Sequence, residues 1–180
     1  LPAGPNARRW VTANLSAGTV GEAQFEFGLG GPAIDRLEPV RLEGALKFSG
    51  LTVNYLEQMP RVTGIAGTAT LDLARIDVLG SGGAVGPLRL DDAKIAITGL
   101  GKSDEIIDIQ IGVRGQVRDK LQLIDSPRLG FMKKVGMNPA DFGGEGLTRV
   151  RFGFPLIGGL RMDQVAVAGT AEAKGFALKR

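Results

Sequence analysis

The 180-residue chain contains no cysteine and no histidine. Disulfides, thiol nucleophiles, imidazole acid–base chemistry and Cys/His metal sites are therefore excluded. Aromatic residues make up only 6% of the sequence, so its apolar surface comes mainly from Leu, Ile, Val and Ala. No apolar run approaches the ~18 residues needed to span a bilayer as a helix. The net charge is +3, and the basic residues are spread out, with only doublets at Arg8-Arg9, Lys133-Lys134 and Lys179-Arg180. A nucleic-acid footprint needs a denser basic face with stacking aromatics, so no nucleic-acid partner is expected.

Glycine is abundant: 28 residues, without a triplet period, mark turns, bulges and close backbone approaches. Hydrophobic content of 43% and charged content of 23% describe one ordered domain over residues 1–180. The sequence opens Leu1-Pro2-Ala3-Gly4-Pro5 without Met, so it is expected to be a piece of a longer chain whose signal or anchor lies elsewhere.

Period-two alternation dominates. Ala23, Phe25 and Phe27 oppose Glu22, Gln24 and Glu26; Leu42, Gly44, Leu46 and Phe48 oppose Arg41, Glu43, Ala45 and Lys47. Ser49-Gly50 reads as a turn into Leu51–Leu56, and Gly80-Ser81-Gly82-Gly83 as a hairpin turn. Ile65 to Leu73, Ala93 to Ile97, Ile107 to Val113, Thr148 to Phe154 and Gln164 to Lys174 alternate in the same way. About nine or ten strands at short spacing predict a mainly β, antiparallel architecture. Mid-strand Gly44, Gly67 and Gly169 suggest a strongly curved sheet. Its corners would belong either to an ordinary barrel or sandwich or to a trough whose apolar face is left open.

Two segments break the pattern. Asn6 to Leu15 reads as a short helix capped by Asn6 and closed by Gly18. Residues 116–143 read as a helical insert. Ser126-Pro127 starts its second helix, Gly136 stops that helix, Asn138-Pro139 repeats the cap-then-proline signal, and Gly143-Gly144 ends the excursion. Its apolar side (Val117, Leu121, Ile124, Leu129, Met132) is expected to cap an edge or end of the sheet, or else to act as a movable gate.

Candidate chemistry is sparse. Gly28-Leu29-Gly30-Gly31 and Gly80–Gly83 lack the following helix and Lys-Ser/Thr of a phosphate loop. Asp91-Asp92 and Asp104-Glu105 lack the ligand-every-second-residue spacing of a cation loop. The serines have no partner base. No enzyme and no cofactor are expected. The residues assigned a binding role are an aliphatic series, Leu46, Leu71, Ile95, Ile97, Ile107, Ile109, Ile111 and Val113, read as one hydrocarbon wall.

Four stretches carry a family resemblance: Arg-Arg-Trp-Val-x-x-Asn-Leu-x-x-Gly-x-Val at Arg8–Val20; Gly-Leu-Thr-Val-Asn-Tyr-Leu with Met59-Pro60 at Gly50–Gly64; Arg-Gly-x-Val-x-Asp-x-Leu-x-Leu-Ile-Asp-x-Pro at Arg114–Pro127; and Gly136–Gly146 with its Asn-Pro-Ala. Together they resemble the AsmA-like proteins of Gram-negative bacteria, which include the TamB and YhdP proteins, and especially the C-terminal region of YhdP-type members. The resemblance implies a taco-like β-groove in the periplasm, with an inner-membrane anchor outside this sequence. It implies phospholipid or other acyl chains as ligand, and neighbouring repeats of the same longer chain or envelope proteins as partners. The function implied is inner-to-outer membrane lipid transfer, and the family has no catalytic residues to carry over. A structural scaffold without ligand is the other reading.

Overall fold

A computed structural model describes residues 5–179 apart from Leu56, Glu57, Ser103 and Arg128. The expected strand to Leu56 and the Lys179-Arg180 doublet thus end outside the described residues. Ten strands form one antiparallel sheet: β1 (Leu15–Ser16), β2 (Thr19–Gly30), β3 (Glu38–Val53), β4 (Val62–Asp72), β5 (Arg75–Ser81), β6 (Ala84–Val85), β7 (Leu88–Thr98), β8 (Ile106–Gln116), β9 (Phe142–Pro155) and β10 (Ala166–Leu178). The mainly β antiparallel expectation holds. β1 and β2 both pair with β3 and run on from one another across Ala17 and Gly18. β5 and β6 do the same against β4 and β7 across Gly82 and Gly83. With these interruptions bridged, the sheet is a meander of eight rungs in chain order. Among the described residues β2 pairs only with β3 and β10 only with β9, so both outer rungs are edges.

Two expected turns do not turn the chain. Phe48 pairs with Gly67 and Leu51 with Ile65, so Ser49-Gly50 inserts one extra residue into a single 16-residue strand. Gly82 and Gly83, at φ 67° and 88°, interrupt a rung, and the chain reverses later at Gly86-Pro87, between Val85 and Leu88. Left-handed glycine suits a bulge as well as a turn, and alternation restarts after either.

The helices are α1 (Pro5–Asn14), α2 (Val117–Ile124) and α3 (Phe131–Lys134). Asn6 is not the cap of α1 but lies within its first turn, and the helix ends at Asn14, where β1 takes over before Gly18. α2 follows β8 without a turn. Ser126-Pro127 does not start the next helix: the Ser126 carbonyl accepts from the Leu129 and Gly130 amides, closing one isolated turn. Gly130, at φ 57°, then breaks the run, and α3 starts at Phe131. Its end is the expected one. Gly136 (φ 69°) donates to the Lys133 carbonyl, and Met137 donates to that of Met132, a Schellman closure. Asn138 caps a 3-10 turn over Pro139–Asp141, its Oδ1 accepting from the Ala140 amide, and β9 resumes at Phe142, ahead of Gly143-Gly144.

The best-covered apolar cluster joins Ile97, Leu100, Ile107 and Leu156 to Ala7 of α1, with Trp10, Ile76, Ile95, Ile109 and Phe154 packed around it. Helix α1 therefore lies against the sheet. Its first turn meets the β8–β9 end, where Asn6 Nδ2 donates to Glu105 Oε2 (3.2 Å). Its last residue reaches the far side, where the Asn14 carbonyl accepts from the Asn54 amide (2.8 Å).

Candidate functional site: an apolar face across eight rungs

Directly paired residues of an antiparallel sheet share a face, so the register shows which side chains are neighbours. One row runs Ala23–Leu46–Ala69–Val78–Ile95–Ile109–Phe152–Val167, crossing all eight rungs without a polar residue. The row beside it, Val20–Phe48–Gly67–Gly80–Ala93–Ile111–Val150–Gly169, is also unbroken. On the other side lies Phe25–Gly44–Leu71–Ile76–Ile97–Ile107–Phe154. The eight wall residues named from sequence all fall on this face. Leu71, Ile97 and Ile107 share one row, Leu46, Ile95 and Ile109 the next, and Ile111 the third; Val113, beside Leu90 and Thr148, extends it.

Sequence reasoning left out of that wall Val78, Phe152, Val150 and Val167, and the aromatic side chains Phe25 and Phe48. Their alternation was visible; their place in the same rows depends on register.

Cover over the face is uneven. Ile97 and Ile107 are buried under α1, whereas Leu46, Leu71, Ile95, Ile109, Ile111 and Val113 are half-buried. Toward the edges the face is open: Phe25, Phe27 and Val20 on β2 and Val167 on β10 are 46–71% exposed. Residues of this size so exposed, in contiguous rows, exceed the scattered apolar exposure of ordinary surfaces.

The insert supplies part of the cover. Met132 is buried and Val117, Leu121 and Leu129 are half-buried, but Ile124, expected on the inner side, is 39% exposed. It is the last residue of a two-turn helix, at the point where Asp125 and Ser126 leave it. The insert is tied across the sheet by the Ser126 hydroxyl, which donates to Met59 Sδ (2.8 Å) in the β3–β4 connection. Lys120 Nζ donates to the Gly146 carbonyl (2.6 Å). Desolvation there, with Arg114 nearby, lowers the pKa of this amine.

The opposite face is polar, and several of its charges are paired. Lys47 meets Glu22 (2.8 Å), Arg41 meets Glu26 (3.1 Å), Arg114 meets Asp91 (3.1 Å), Arg151 meets Asp108 (2.7 Å), and Arg75 chelates Asp77. The Arg75 hydrogen bond holds the Asp77 carboxyl below the usual carboxylate range. Burial pushes Asp108 up, but hydrogen bonds from Arg151 and Gln110 together outweigh it and leave its pKa lowered. A cleft of about 380 Å³ opens on this polar side between Glu26, Glu43, Asp72 and Arg75. Of the carboxylate pairs read as possible cation ligands, Asp91 is engaged by Arg114, and Asp92 lies over Gly112. Glu105 is 2% exposed, and among the described residues no group of three or more acidic side chains is placed to hold a metal ion.

The fold and this face define an open, single-sheet meander, polar on one side and hydrocarbon-lined on the other. No family model, curated protein or solved structure matches the chain.

Proposed function

We propose that the apolar face binds acyl chains of phospholipid or another lipid, and that the domain is one segment of a longer bridge-like protein carrying lipid between the inner and outer membranes. The observation that carries this reading is the unbroken row from Ala23 to Val167, buried or half-buried along its middle and exposed at both ends. A hydrocarbon chain needs no directional partner. Each Å² it removes from water contributes about 25 cal/mol, so continuous aliphatic rows suffice for affinity. The reading includes no catalysis and no cofactor. The resemblance to AsmA-like proteins supports a periplasmic setting, an anchor elsewhere in the longer chain, and neighbouring repeats as partners.

Native mass spectrometry of the purified domain tests it. The expected result is co-purifying or added phospholipid bound to the parent, and loss of most of that occupancy in Ile111→Asp, which places a charge in the third row. A parent without lipid across several lipid classes would sink the reading.

A scaffold without ligand is the second reading, favoured by one observation: α1 already covers Ile97 and Ile107. Under it, the Ile111→Asp variant would change stability alone.

A further inference from the structure

We infer that α1 is a displaceable plug that occupies the acyl-chain site when no lipid is bound. The inference rests on the lipid-binding reading and adds a resident competitor to it. Three observations converge. First, Ala7 is 0% exposed and packs with Ile97 and Ile107, members of the same rows that form the proposed hydrocarbon wall. Helix and ligand would therefore use the same surface. Ala7, Trp10, Val11 and Asn14 turn inward at helical spacing, while Arg8, Arg9, Thr12 and Ala13 are exposed, so a single face of α1 mimics a guest.

Second, the docked helix leaves a buried polar side chain incompletely satisfied. Glu105 accepts from Asn6 through Oε2, yet Oε1 has no partner among the described residues although the residue is 2% exposed. A buried acceptor without a partner destabilises the state that buries it. Departure of α1 would free the Glu105 side chain from this arrangement and offset part of the helix's lost packing. The two arrangements are thereby brought closer in free energy than apolar contact alone would allow.

Third, a hinge is present. The chain passes from α1 into the sheet through the two-residue β1, and β1 is separated from β2 by Ala17 at φ 55° and Gly18 at φ 90°. A non-glycine residue in the left-handed region is sparsely populated and costly. Release of α1 with β1 would relax Ala17 while leaving β2 paired to β3.

Trp10, the sole tryptophan, reports docking, and the absence of native cysteine permits a clean tether. In the full 180-residue chain, Asn6→Cys and Glu105→Cys together are bridged by a short bifunctional methanethiosulfonate reagent. Stearate occupancy is read by native mass spectrometry and Trp10 emission by fluorescence. The bridged form is expected to load stearate about tenfold less than the reduced form, within the usual range for coupled sites. Only the reduced form should show Trp10 emission shifting to the red on loading. A companion variant, Ala7→Leu, forces bulk under the helix without altering a sheet side chain, and should load several-fold more than the parent by the same coupling. Equal loading of bridged and reduced forms, or no gain in Ala7→Leu, would overturn the plug. Absence of stearate from bridged, reduced and Ala7→Leu forms alike would overturn the lipid reading itself.

Discussion

The ring of Phe25 on β2 occupies the space that a side chain on Gly44 of β3 would fill: a Cβ there would lie 2.7 Å from the ring's Cδ1 and 3.0 Å from Leu71 Cγ. The glycine is needed as a seat for the ring, and its φ is not in the left-handed region. Gly44→Ala should therefore displace Phe25 and destabilise the domain by about 1–3 kcal/mol, the usual scale of overpacking. Urea denaturation monitored by far-ultraviolet circular dichroism checks this, and an unchanged midpoint would show that Phe25 swings away freely.

The gradient of cover along the apolar rows predicts a gradient of mutational cost. Ile107, at 0% exposure, should lose about 2–5 kcal/mol on truncation to Ala, the range for buried aliphatic side chains. Val167, 58% exposed on the edge rung, should lose under about 1 kcal/mol. Equal losses would mean that β10 is covered in solution.

The insert offers a sharper contrast within one helix. Leu121 is half-buried and Ile124 is 39% exposed, so Leu121→Asp should destabilise or aggregate the domain while Ile124→Asp stays near the parent. Thermal melts of the two variants side by side decide it; a reversed order would place the covered side of α2 elsewhere.

Acid should weaken the polar face first at its paired carboxylates. Asp108 has a lowered pKa in the folded state, so as pH falls below about 4 the unfolded chain takes up the proton first. The stability this carboxylate contributes is thus present above that range and is lost as pH falls through the folded value. Stability of the parent should drop more steeply below about pH 4 than that of Asp108→Asn. The difference should be small, because Arg151 and Asp108 are partly solvated. Parallel curves would show that the pair contributes nothing.

Much of this was readable from alternation alone, since Ile107, Ile109, Ile111 and Val113 declare a strand with one apolar face wherever they sit. That Leu46 shares a row with Ile95 is a different kind of fact. It depends on strands that continue through Ser49-Gly50 and Gly82-Gly83, and in sequence such a glycine-containing pair looks the same as a turn. The helix at Asn6 was visible too, but its amphipathic pattern does not say what it lies on. Asn6, a good cap by type, instead reaches Glu105, 99 residues away. Nothing near Asp104 in sequence marks its neighbour as buried.

Eight rungs in chain order also set a length. Neighbouring strands lie about 4.8 Å apart, so seven spacings carry the row from Ala23 to Val167 across roughly 34 Å. The hydrocarbon core of a bilayer is about 30 Å thick. Measured across its strands, this one domain is a ruler of about one membrane's oily interior, long enough to hold a fully extended acyl chain end to end.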